Sequence, residues 1–187
     1  MTLTAVLLVG GLSRRMGADK ATLVTEGKPL WARQIALLGE LKPAAIWISA
    51  RERPAWCPSK IETVADASPS RGPLSGLSAS LDRLQTSHLL ALAIDLPRMT
   101  TEKLRKLWTL ARPGSGVIPV NGENFEPLCA IYPAEAAAEA RTALAGGELS
   151  LQRLARILVR ENRAVEYPLS QSEKEFFHNA NTPADLP

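Results

Sequence analysis

Thr4-Ala5-Val6-Leu7-Leu8-Val9-Gly10-Gly11-Leu12-Ser13-Arg14-Arg15-Met16-Gly17-Ala18-Asp19-Lys20 is the stretch from which the fold is read. The apolar run from Thr4 to Val9 predicts a buried strand, ended by two adjacent glycines. Three cations, Arg14, Arg15 and Lys20, follow in a short loop that also holds Gly17. Glycine lets backbone N–H groups approach a ligand closely, and clustered cations neutralise a polyanion. At the end of a first strand this combination points to a nucleoside triphosphate. Both common phosphate loops fail on the residues. No Gly-Lys-Ser/Thr closes the loop, and Gly10, Gly11 and Gly17 do not follow Gly-x-Gly-x-x-Gly spacing. A glycine turn with solvated arginines is the plainer alternative; the buried strand and the three cations together favour anion binding.

Outward from this strand, short apolar runs alternate with amphipathic stretches. Strands are expected at 3–9, 45–50, 61–65, 89–94, 116–120, 127–132 and 163–167, and helices at 30–42, 74–86, 101–112, 134–145 and 150–161. Pro29 and Pro73 stand just before the first two helix patterns, and Thr100 or Thr101 can cap the third. The alternation predicts an α/β fold: a Rossmann-like three-layer αβα sandwich around a mostly parallel sheet. Asn121-Gly122 suggests a hairpin-like insertion that brings antiparallel character to the later strands. With no repeat and no low-complexity linker, residues 1–187 are expected to form a single domain.

The composition excludes several function classes. An apolar fraction of 45% with 22% charged residues is that of an ordinary globular protein, and no apolar run is long enough to span a bilayer. The N-terminus runs into the first strand without a basic leader, so a cytoplasmic location is expected. Cys57 and Cys129 are too few for a disulfide framework or a thiolate metal site. His88 and His178 are the only histidines, and His88 reads as a strand-edge residue, which argues against a zinc site or a catalytic triad. The net charge of +3 is mild, and no Lys/Arg block with interleaved aromatics suggests a nucleic-acid surface.

In open parallel sheets ligands bind beyond the carboxyl ends of the strands. The residues just after each predicted strand therefore carry the chemistry. Asp95, in Ala93-Ile94-Asp95-Leu96-Pro97, follows an apolar strand and is stopped from continuing it by Pro97. A lone Asp there can be a turn residue. Opposite a triphosphate loop it suits Mg²⁺, which takes few protein carboxylates and completes its shell with phosphate and water oxygens. Asp66 can accept from a ribose or base, or simply end its strand. Gly72-Pro73-Leu74-Ser75-Gly76 opens a helix whose free N–H groups suit a base or phosphate. Asn179 and Asn181, at i and i+2, face one side of an extended segment.

Taken together these segments resemble the molybdenum cofactor guanylyltransferases (the MobA type) of the nucleotide-diphospho-sugar-transferase-like nucleotidyltransferases. The resemblance runs through Leu8-Val9-Gly10-Gly11 with Arg15-Met16-Gly17 and Asp19-Lys20, then Gly27-Lys28-Pro29-Leu30 and Asp66 with Gly72 to Gly76. It continues through Asp95-Leu96-Pro97, Glu126-Pro127-Leu128-Cys129-Ala130-Ile131-Tyr132 and Asn179-Ala180-Asn181-Thr182-Pro183. It implies transfer of GMP from GTP to molybdopterin, with release of pyrophosphate. By resemblance Leu8, Val9 and Gly10 contact the nucleotide, Lys20 its phosphates, Asp66 its nucleoside, and Asp95 both GTP and Mg²⁺. Gly11, Arg15, Gly72, Pro73, Leu74 and Gly76 belong to the same pocket, and Asn179 and Asn181 to the second-substrate or metal side. A protein that delivers molybdopterin or receives the product is implied as a partner. Val9 stands where a small Ala is usual and Ser49 where an Asn often meets the nucleotide. The 121–124 segment lacks an Arg often found before the later Pro-Leu pair. These departures bear on base preference and acceptor fit rather than on reaction type.

The implied acceptor attacks through a terminal phosphate already ionised near neutral pH, so no strong general base is required. Arg15, Lys20 and Asp95 then serve positioning and charge neutralisation, which a histidine-poor chain can supply. Two other readings compete: a related nucleotidyltransferase that uses CTP or a sugar phosphate, and a non-catalytic nucleotide-binding module. A module that only binds has no need for the Asp95 carboxylate.

Overall fold

The computed structural model describes residues 1–9, 20–66, 72–180 and 185–186. Its strands are β1 (Leu3–Leu8), β2 (Val24–Thr25), β3 (Lys28–Pro29), β4 (Ala45–Ala50), β5 (Glu62–Ala65), β6 (His88–Ala93), β7 (Gly116–Asn121), β8 (Asn124–Phe125), β9 (Cys129–Pro133) and β10 (Ala164–Pro168). Its helices are α1 (Leu30–Gly39), α2 (Pro73–Asp82), α3 (Thr101–Leu110), α4 (Ala136–Ala145) and α5 (Leu151–Arg160). Every strand and helix expected from the sequence is present. The two-residue strands β2, β3 and β8 are additions, too short to show a period.

The main sheet runs β5-β4-β1-β6-β9-β7-β10. Along this path only β9 lies antiparallel to its neighbours, so the sheet is mostly parallel as expected. The expected hairpin forms between β7 and β8, where Gly122 takes φ 64 at the first central position of the turn. α1 stops at Gly39 rather than continuing to 42, since Lys42 has left-handed backbone, φ 53. β9 starts at Cys129 rather than 127 because Cys129 N–H closes a turn onto the Glu126 carbonyl, 3.1 Å.

Side-chain alternation along the central strands sorts the helices into two layers. Leu3, Ala5 and Leu7 of β1 and Leu90 and Leu92 of β6 share a core with Leu30 and Leu38 of α1 and Leu104 and Leu107 of α3. Val6 and Leu8 of β1 and Leu89 and Ala91 of β6 meet Leu74, Leu77 and Leu81 of α2, Ala140 of α4 and Leu154 and Leu158 of α5. All six residues of β1 and of β6 are buried. Strands covered on both faces read as near-continuous apolar runs. Each buried leucine contributes about 1.5–3 kcal/mol in transfer terms.

The topology fixes where a ligand can sit. From β1 the chain steps to β4 and β5 on one side, then returns through α2 to β6 on the other side of β1. The carboxyl ends of β1 and β6 therefore flank the switch point, where adjacent connections diverge and leave a crevice.

Candidate active site

The ladder extends one residue past each central strand. Val9 N–H donates to the Ser49 carbonyl at 3.0 Å, and Ile94 N–H donates to the Leu8 carbonyl at 3.0 Å. Leu8 is 7% exposed and packs into the α2 side of the core, while half-buried Val9 packs on the α1 side. Both residues thus deliver the main chain to the crevice rather than present side chains to it. Gly10, Gly11 and Arg15 lie outside the described residues, as does Asn181.

Asp95 stands beside this point, half-buried just past β6. Its backbone carbonyl accepts from Ala180 N–H at 2.8 Å. Lys20 Nζ donates to the Ala180 carbonyl at 3.0 Å. One peptide segment near the C-terminus therefore bridges the lysine and the backbone of the aspartate. Burial pushes the Asp95 carboxyl above its ordinary range, and the Lys20 charge opposes that rise. The turn that carries Asp95 is held from below by Gln34 of α1, whose Nε2 donates to the Leu96 carbonyl at 2.8 Å. Gln34 is 2% exposed, and its Oε1 accepts no hydrogen bond among the described residues. A glutamine in an amphipathic helix gives no sequence signal for this role.

On the other side of β1, Asp66 N–H donates to the Ala50 carbonyl at 3.2 Å, so Asp66 extends the edge of β5. Ser49 Oγ donates to Asp66 Oδ1 at 3.1 Å. Ser49 is 2% exposed, and its hydroxyl orients the carboxylate. Gly76 of α2 covers both: a Cβ there would lie 2.3 Å from Ser49 Oγ and 2.9 Å from Asp66 Oδ1. The glycine is the condition for α2 to sit this close to the carboxylate. Gly72 (φ 81) and Pro73 are exposed at the start of α2, whose N-terminal dipole end favours an anion there. Leu74 is wholly buried and fastens the helix to the sheet.

The bridging segment is itself anchored by a cluster that the sequence does not announce. Glu173, after β10, is 5% exposed. Its Oε1 accepts from Tyr167 Oη at 2.6 Å and from Lys106 Nζ at 3.1 Å, with Lys103 Nζ at 3.6 Å. Its Oε2 accepts from Ser170 N–H at 3.0 Å and Ser170 Oγ at 2.8 Å. These donors, Tyr167 first, hold the carboxyl well below the usual carboxylate range. A 3₁₀ turn, Lys174–Phe177, then buries Phe177 and leads to exposed Asn179 and buried Ala180.

His88 is fully buried, with Nδ1 2.9 Å from Ser87 Oγ, Nε2 3.0 Å from the Arg112 carbonyl and its ring against Trp108. Cys57 and Cys129 are buried free thiols. Trp31 and Trp56 stack on each other at 5.3 Å, so neither is a platform held open for a base. A surface groove between α1 and the start of α3, lined by Lys28, Arg33, Gln34, Pro97 and Thr101, includes none of Ser49, Asp66 and Asp95. Among the described residues no group of three or more His, Cys, Asp or Glu could cage a metal, and no helix is long and apolar enough to cross a membrane.

The sequence model of the MobA-like NTP transferase domain matches residues 5–165. A probable molybdenum cofactor guanylyltransferase of Opitutus terrae is 34% identical over 98% of this chain and 92% of its own length. The molybdenum cofactor guanylyltransferase of Xanthomonas euvesicatoria pv. vesicatoria is 31% identical over 96% of this chain and 90% of its own. In structure, the molybdopterin-guanine dinucleotide biosynthesis protein A of Archaeoglobus fulgidus superposes with a TM-score of 0.70 at 26% identity, covering 98% of this chain and 94% of that one.

Proposed function

The chain belongs to the MobA-like NTP transferase family, and we propose that it is a molybdenum cofactor guanylyltransferase. One nucleotidyltransferase domain, residues 1–187, transfers GMP from GTP to molybdopterin and releases pyrophosphate. The observation that carries the reading is the convergence of Lys20 and Asp95 on Ala180 at the switch point, with Asp66 across β1. A binding-only module has no use for a desolvated carboxylate beside a lysine at that place.

Asp95 fits Mg²⁺. It offers hard oxygen donors at the switch point, suited to an ion that takes few protein carboxylates and fills its shell with phosphate oxygens and water. When bound, the ion supplies charge neutralisation at the reacting phosphate. The chain's own residues do the remainder. Lys20, held by the Ala180 carbonyl, places its charge where pyrophosphate develops; Arg15 and the Gly10-Gly11 backbone complete that loop by family likeness. Asp66, oriented by Ser49, accepts from the nucleoside, and Gly72 and Pro73 at the start of α2 border the same half. Asn179 directly precedes the bridging Ala180, and by family likeness Asn179 and Asn181 serve the second substrate. The acceptor phosphate is its own nucleophile, so the site needs no strong base, only alignment. Substrate turnover of this kind suits a cytoplasmic enzyme supplied by, or supplying, other molybdenum-cofactor proteins.

Pyrophosphate release with molybdopterin, measured for GTP, CTP and UTP with and without Mg²⁺, tests the reading. GTP and Mg²⁺ together are expected to be required; preference for CTP would replace the guanylyl assignment with a cytidylyl one. Asp95→Asn, which keeps the side-chain volume, is expected to lower turnover about a hundredfold or more with the fold intact. Activity like that of the wild type would remove Asp95 from the machinery.

A further inference from the structure

The carboxyl edge of the sheet has two halves. β1, β4 and β5 with α2 carry Ser49, Asp66 and Gly72, the half assigned to the nucleotide. The other half, formed by β6, β9 and β7, ends in the turn Glu126-Pro127-Leu128-Cys129, for which the reaction as described has no task. The backbone of this turn is pinned at every residue. Glu126 N–H donates to the Pro119 carbonyl at 2.8 Å and Cys129 N–H to the Glu126 carbonyl at 3.1 Å. Tyr132 Oη donates to the Pro127 carbonyl at 2.6 Å from a ring that is 1% exposed. Ala93 N–H donates to the Leu128 carbonyl at 2.7 Å. Ala93 is the last residue of β6 and Asp95 follows two residues on, so the turn lies alongside the catalytic aspartate.

This rigid turn carries a half-buried carboxylate. Among the described residues Glu126 forms no ion pair, and its polar neighbour is the Asn121 side chain at the end of β7. Burial raises the Glu126 carboxyl above its ordinary range, with Asn121 opposing the rise. A half-buried carboxylate on a pinned turn, with no ion pair among the described residues, gains from a ligand that supplies hydrogen-bond donors. The ligand must bring neighbouring N–H groups. A 2-amino-4-oxopyrimidine edge has such a pair, a ring N–H and an exocyclic amino group, spaced for the two oxygens of one carboxylate.

We propose that Glu126, set by the Glu126–Cys129 turn and flanked by Asn121, binds the 2-amino-4-oxopyrimidine edge of the acceptor's pterin and so selects the second substrate. The inference rests on the molybdopterin reading above. Guanine presents the same donor pair, but the nucleotide half lies across β1 from this turn, so the pterin is the assigned source. Acceptors without such donors would leave the carboxylate unpaired and be rejected.

The test uses the full chain, 6-hydroxymethylpterin as a fluorescent probe, GTP by calorimetry and molybdopterin in turnover, for wild type, Glu126→Gln and Asn121→Ala. The amide in Glu126→Gln keeps the shape of the carboxylate but exchanges one acceptor for a donor. Glu126→Gln is expected to weaken pterin binding and raise the molybdopterin KM about tenfold or more. GTP affinity and the GTP KM should stay within about twofold, the melting temperature should not fall, and Asn121→Ala should give a smaller change of the same kind. Unchanged pterin affinity and molybdopterin KM in Glu126→Gln would overturn the assignment. Lost GTP affinity with intact pterin binding would overturn it too, by giving the carboxylate to guanine. Wild-type protein that turns over GTP without molybdopterin would refute the acceptor reading itself; that failure appears before any substitution is made, and so is distinguishable.

Discussion

Position 76 shows how one atom governs the half of the site proposed for the nucleotide. Alanine at Gly76 gains about 1 kcal/mol of helix propensity but places a methyl 2.3 Å from Ser49 Oγ and 2.9 Å from Asp66 Oδ1. Overpacking of that kind costs about 1–3 kcal/mol, so Gly76→Ala should be mildly destabilised in denaturant melts while its GTP KM rises several-fold. Adding Ser49→Ala removes the nearer clash and the hydroxyl that orients Asp66. The double variant should therefore regain stability in a mutant cycle without regaining GTP affinity. Recovery of both would mean that Asp66 needs no orientation by Ser49. At this scale the sequence marks glycine and carboxylate as candidates but cannot pair them, because Ser49, Asp66 and Gly76 belong to three different elements. It is silent on Gln34 and on Ala180, whose contributions are an amide in a helix and a bare peptide group.

The C-terminal segment works as an element because Glu173 ties it to α3. Lys103 and Lys106 share a face of α3 at i, i+3 spacing, yet nothing in the sequence matches them to an acid beyond β10. Glu173→Gln removes the charge to which Tyr167, Ser170 and Lys106 donate and is expected to cost about 1.5–3 kcal/mol. The sign with pH follows from the lowered carboxyl. Its stabilisation is complete above the ordinary value of 4.5 and declines as pH falls below it toward the depressed folded value. Thermal melts should therefore separate wild type from Glu173→Gln fully at neutral pH, with the gap closing only in acid. A gap that instead widened in acid would contradict the assigned ionisation. Hydrogen exchange at Ala180 N–H reports the mechanical consequence, and faster exchange is expected in the variant because that amide is bonded to Asp95. The helix starts were easier to read: Thr100 caps α3 by accepting from Lys103 N–H at 3.4 Å, and Thr100→Ala should cost about 1 kcal/mol in urea.

Across the whole molecule the site draws on the ends of β1, β5 and β6, the start of α2, Lys20 and the C-terminal segment, so occupancy should stabilise the entire fold. GTP with Mg²⁺ at a hundred times its dissociation constant is expected to add about 2.7 kcal/mol, read as a rise in melting temperature that Asp95→Asn diminishes. No rise at saturation would count against a site assembled from distant elements. The layered architecture was legible in the chain because burial imposes a period. Strands covered on both faces, such as Leu3–Leu8 and His88–Ala93, read as near-continuous apolar runs broken only by the buried Thr4 and His88, and helices between them are amphipathic. The glycine–cation stretch after the first strand and the aspartates after two others likewise follow from local chemistry. What the tertiary structure alone decided is pairing: Ser49 with Asp66 under Gly76, Lys20 and Asp95 on Ala180, Glu173 on α3, and the pinned turn beneath Glu126. Such contacts join residues far apart in the chain through backbone groups and single polar atoms. Neither leaves a periodic or compositional trace, so only the folded chain brings them into view.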